Sequence, residues 1–129
     1  MRPRQMYSRV SVEAGLDTLE ESRQATAAVL HALRDRLTPD EAAHAAAQLP
    51  TELKALWGSG HPALAPPLKL HRREFLERVR LEAGLRSTVQ AEEVTDAVFA
   101  ALKEQLSEGE ADDIMAQLPR DLKHQWARA

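Results

Sequence analysis

Arg9-Val10-Ser11-Val12-Glu13-Ala14-Gly15-Leu16 returns as Arg78-Val79-Arg80-Leu81-Glu82-Ala83-Gly84-Leu85, a constant offset of 69 positions, and this echo decides how the chain is read. Extended outward without a gap, the correspondence joins Met6–Trp57 to Phe75–Trp126, with 21 of 52 aligned positions identical. Identity at that level predicts that each copy adopts the same local fold. Solenoid repeats have periods of about 20 to 50 residues, so this longer period reads as a duplicated subdomain.

Size decides how the copies should relate. A 52-residue copy without a cysteine to staple it would be only marginally stable alone. The expectation is therefore one domain over residues 1–129, with repeat one at 6–57, a linker at 58–70 and repeat two at 75–126. Gly58, Gly60, Pro62, Pro66 and Pro67 mark that linker. The absence of cysteine rules out a disulfide framework. No apolar run approaches the roughly 18 residues of a membrane span, and Met1–Val10 lacks a signal-peptide core. A soluble, cytoplasmic protein that engages no membrane is expected. The net charge of -3 argues against an obligate polyanion binder.

Alanine and leucine dominate while aromatics are scarce, which points to an all-α fold. The punctuation within each copy predicts four helices. The first covers about Arg4–Ala14 and Arg72–Ala83, stopping at Gly15 and Gly84, where glycine can adopt the left-handed conformation that closes a helix. Thr18 with Glu21 and Ser87 with Gln90 fit capping boxes, in which the cap side chain and the residue three positions on satisfy each other's backbone donors. From these caps a long helix runs with Ala25, Val29, Ala32, Leu33 and Leu37 on one stripe, matched by Val94, Val98, Ala101, Leu102 and Leu106. Thr38 with Glu41 and Ser107 with Glu110 form the next pair of boxes, the first reinforced by Pro39. The third helix has Ala42, Ala45, Ala46 and Leu49 on its apolar face, against Ala111, Ile114, Met115 and Leu118. Pro50 and Pro119 then break the pattern before a short fourth helix carrying Leu53, Leu56 and Trp57, or Leu122 and Trp126. The architecture expected is about eight helices, two pseudo-symmetric four-helix repeats packed into one compact bundle.

Arg73-Glu74-Phe75-Leu76-Glu77-Arg78-Val79 and Ala116-Gln117-Leu118-Pro119-Arg120-Asp121-Leu122-Lys123, with Ala47–Lys54 as the first-copy counterpart, resemble the bacterial family catalogued as domain of unknown function 2267. The resemblance covers about Met6 to Trp126 and includes the two-copy layout. It rests on helix starts and Leu-Pro junctions and implies a small all-helical bacterial protein, with no substrate attached.

Candidate chemistry is sparse. Glu41-Ala42-Ala43-His44 is a Glu-x-x-His of the spacing used in di-iron bundles, but those need it twice plus two further glutamates. The second copy reads Glu110-Ala111-Asp112-Asp113, so Glu41 reads as a capping-box residue beside a surface histidine. Histidines 31, 44, 61, 71 and 124 show no clustered zinc spacing and read as surface or linker residues. Glu108, Glu110, Asp112 and Asp113 suit the dipole at a helix start. Trp57 and Trp126 read as core. Two basic sets, Arg2/Arg4/Arg9 and Lys69/Arg72/Arg73, would form a patch for nucleic acid or an anionic surface if the two helix starts lay side by side. No phosphate loop, nucleophile elbow or cysteine nucleophile occurs.

No catalytic, cofactor-binding or metal-ligating residue is assigned and no cofactor is implied. Two similar surfaces on one chain point to a noncatalytic interaction or assembly module, with a protein partner or self-association. Nucleic-acid binding through the basic sets and metal binding around Glu41 and His44 are the alternatives.

Overall fold

The computed structural model describes residues 2–60 and 69–129. Histidine 61 and prolines 62, 66 and 67 of the expected linker lie outside them. The described residues form eight helices and no strand: α1 Pro3–Ala14, α2 Leu19–Arg36, α3 Pro39–Ala47, α4 Thr51–Gly58, α5 Arg72–Ala83, α6 Thr88–Gln105, α7 Glu108–Gln117 and α8 Arg120–Arg128. None is long and apolar enough to cross a membrane.

The breaks fall where the side chains dictate. Gly15 and Gly84 both sit at φ 65°, and beyond them the Leu16 and Leu85 amides turn back to the Ser11 and Arg80 carbonyls at 3.0 and 2.9 Å. This closure satisfies carbonyls that the ending helix would otherwise orphan. Thr18, Thr38, Ser87 and Ser107 each accept from the amide three residues on. Pro50 and Pro119 occupy the cap positions of α4 and α8. Some boundaries differ from the sequence reading: Gly58 belongs to α4 and not to the linker, and Leu37, Leu106, Leu49 and Leu118 lie just past the ends of α2, α6, α3 and α7 instead of within them.

The packing crosses between the copies. α1 lies against both α2 and α6, α5 lies against the same two helices, and α3 packs on α7. Helices α2 and α6 are thus flanked by one helix from each copy. They are buried well beyond a single stripe: Thr26, Leu30, His31, Arg34 and Asp35 of α2 are buried as well as Ala25, Val29, Ala32 and Leu33 read from spacing, and Leu37 is buried just past the helix end. A one-face reading underestimates burial because a helix covered on several sides needs apolar or paired residues all round. One contiguous apolar cluster draws on all eight helices. At its second-copy end the Phe99 ring sits 5.8 Å from Phe75 and 5.0 Å from Trp126 in an edge-on contact, and Trp57 is buried in the same cluster.

Candidate functional site

The seam between the copies is tied by polar groups at matching positions. Arg78 donates to Asp35 at 2.8 Å, and Arg9 to Glu104 at 3.2 Å, the same pair of positions with the copies exchanged. Gln48 accepts from the Ser107 amide at 2.8 Å, and Gln117 from the Thr38 amide at 2.9 Å. The amide groups of these glutamines also donate to the Ser107 and Thr38 hydroxyls, at 3.3 and 3.2 Å.

These caps displace two residues from the work the sequence suggests for them. In a capping box, Glu41 and Glu110 would turn back to the Thr38 and Ser107 amides. Those donors are taken by glutamines from the opposite copy, so only the hydroxyl half of each box forms, at 3.3 and 3.1 Å. The two carboxylates instead meet between α3 and α7. Glu41 is 8% exposed and Glu110 6%. Oε2 of each is buried without a hydrogen-bond partner.

One ligand atom from each of Glu41, Glu110 and the exposed His44 falls within 4.8 Å of the others. Among the described residues no lysine or arginine bridges to either glutamate. Burial, then the hydrogen bond and charge of Glu41, then the charge of Asp113, push the Glu110 carboxyl up to about 7. The carboxyl groups can bond each other only by holding a proton in common. Sequence spacing dismissed Glu41 and His44 because Asp113 stands where a second histidine would. The fold supplies the extra carboxylate from Glu110 instead, a residue read only as a helix-start acid. Identity of Glu41 with Glu110, and of Gln48 with Gln117, was the available signal.

The remaining candidates disperse. His31 is no surface residue: it is 4% exposed, with Nδ1 2.6 Å from Glu82 and Nε2 2.8 Å from the Leu56 carbonyl. Ser59 Oγ lies 3.1 Å from the same Nε2 but itself donates to Leu56 at 2.8 Å. Nε2 directed at a carbonyl carries a hydrogen, so it cannot serve as a base toward Ser59. The group ties α2 and α4 to α5. His71 and His124 share a shallow depression with Arg120 and Asp121.

α1 and α5, which carry most of the two basic sets, each pack on α2 and α6. Within them Arg9 is engaged by Glu13 and Glu104, and Arg72 by Glu92 and Gln125. Tyr7 donates to Glu52 at 2.6 Å, and burial with that bond holds its hydroxyl protonated far above the usual range.

The two Glu-Ala-Gly-Leu turns line opposite parts of a cleft of about 400 Å³, with Gly15, Leu16 and Asp17 on one side and Ala83, Gly84, Leu85 and Arg86 on the other. Gln90 bridges there, accepting from the Arg86 amide at 3.0 Å and donating to the Ala14 carbonyl at 3.0 Å. Among the described residues the large exposed apolar side chains are Val12, Leu19, Leu81 and Val89. All four lie within five positions of Gly15 or Gly84.

Eight helices joined by reciprocal caps and ion pairs, with no nucleophile elbow or phosphate loop in the sequence, define an all-α helical protein. The chain belongs to the family described as uncharacterized conserved protein (DUF2267), whose model matches residues 4–124. No curated protein was found to match it.

Proposed function

We propose that this protein is a noncatalytic interaction or assembly module that docks through the end where its two glycine turns face each other, with a second copy of the same chain as the occupant. The observation that carries this reading is that Val12, Leu19, Leu81 and Val89, every large apolar side chain exposed among the described residues, fall within five positions along the chain of one or other turn glycine. Exposed apolar side chains that form a contiguous patch mark a contact site. This end presents Glu-Ala-Gly-Leu twice, so a second molecule related by a half-turn offers matching residues, as an isologous interface requires.

Light scattering coupled to size-exclusion chromatography tests it. The wild-type chain is expected to run as a dimer at micromolar concentration, and Val12→Glu with Leu81→Glu as a monomer of unchanged helical content. A wild-type chain that remains monomeric across the accessible concentration range overturns the reading.

A further inference from the structure

We infer that Glu41, His44 and Glu110 form a binding site for one first-row divalent transition-metal ion, with zinc the best match, clamped between α3 and α7. The first support is enclosure. Both glutamates are more than nine-tenths buried, each has an Oε2 without a donor, and the ligand atoms lie within 4.8 Å of one another and of a histidine nitrogen. Two like charges held together away from water are unfavourable unless a proton or a cation lies between them. Among the described residues no basic side chain bridges to either glutamate, which leaves the space between them to a shared proton or to a bound cation that displaces it.

The second support is the donor set. Two carboxylate oxygens and one imidazole nitrogen suit zinc, manganese or iron, and the imidazole disfavours magnesium and calcium, which take oxygen. Zinc binds these donors at about 2.0–2.2 Å, placing neighbouring donors roughly 3.4 Å apart in a tetrahedral shell. From within 4.8 Å, side-chain adjustment of about an ångström closes that shell. His44 is exposed, giving the ion a path inward and leaving a coordination position open to water.

The third support explains why the carboxylates are available at all. Gln48 and Gln117 cap α7 and α3 from the opposite copies, so neither glutamate is held by its own helix start. An ion seated between them would join α3 to α7 independently of those caps.

The test uses the full chain, equilibrated with zinc chloride, desalted and assayed by elemental analysis, with affinity from competition against a chromophoric chelator. One zinc per chain is expected, with an excess of magnesium failing to displace it. His44→Ala, at an exposed position, should retain the wild-type circular dichroism and weaken zinc binding at least tenfold. Glu41→Gln with Glu110→Gln should abolish it, and His124→Ala, at the other exposed histidine depression, should leave it unchanged. Failure of the wild-type chain to retain zinc overturns the site and leaves the carboxyl pair sharing only a proton. Zinc retained equally by the His44→Ala chain, or lost in the His124→Ala chain, also overturns it.

Discussion

At the scale of single residues, some of the side chains that join the two halves are identical at matching positions, Arg9 with Arg78 and Gln48 with Gln117. Gln48 and Gln117 each satisfy an amide and a hydroxyl at a helix start in the opposite copy. These bonds are solvent-exposed, so Gln48→Ala is expected to cost about 0.5–1 kcal/mol in urea denaturation, with Gln117→Ala similar. Glu110 makes a prediction of opposite character. Its carboxyl rises from 4.5 to about 7 on folding, so between those values the folded chain binds more protons than the unfolded one. Stability from this group is therefore fully present below about 4.5 and is lost as pH rises through about 7. In the presence of a chelator, the wild-type chain should lose stability relative to Glu110→Gln between pH 5 and pH 8. Parallel melting temperatures for the two chains across that range would refute the assignment. That Glu110 faces Glu41 could not be read from spacing, because a capping box explains both residues locally and only the glutamines arriving from the other copy release them.

At the scale of elements, chemical punctuation was enough to place the helices. The glycines at 15 and 84, the hydroxyl caps at 18, 38, 87 and 107 and the prolines at 50 and 119 each act on their own backbone, so their effect is local. The faces buried by α2 and α6 were read only in part, since how many neighbours cover a helix is a property of the tertiary fold. His31, Arg34 and Asp35 show the consequence: polar residues at positions a single-stripe reading leaves in solvent are inaccessible and paired. Asp35 is fully buried and accepts from Arg34 at 3.1 Å and Arg78 at 2.8 Å, whereas its counterpart Glu104 is half-exposed and pairs with Arg9 at 3.2 Å. Matching positions should therefore respond unequally. Asp35→Ala removes an acceptor shared by two guanidiniums and should cost about 3–5 kcal/mol; Glu104→Ala should cost under about 1 kcal/mol. Chemical denaturation of the two variants side by side measures the difference, and equal losses would show that the buried network does not hold α5 on α2.

At the scale of the whole molecule, the crossed packing makes neither copy a complete structure. α1 covers α6 and α5 covers α2, so a chain cut between residues 60 and 69 would strip each half of a helix that closes its core. A half of about sixty residues with that surface open to water falls where a single core is marginal. Peptides spanning 1–60 and 69–129 are accordingly expected to show little helix by circular dichroism when separate, and to regain the helical signal of the intact chain when mixed in equal amounts. The recovered species should elute as a one-to-one complex, and Arg78→Ala in the second peptide should weaken reassembly more than Arg9→Ala in the first, because only Arg78 reaches a fully buried carboxylate. Because reassembly also rebuilds the α3–α7 contact, the mixture should recover zinc binding while neither peptide alone has it: Glu41 and His44 lie on one peptide and Glu110 on the other. Folded, monomeric halves that hold their helices unaided would mean that the crossed contacts are incidental to stability, and the caps and ion pairs along the seam would then need a different explanation.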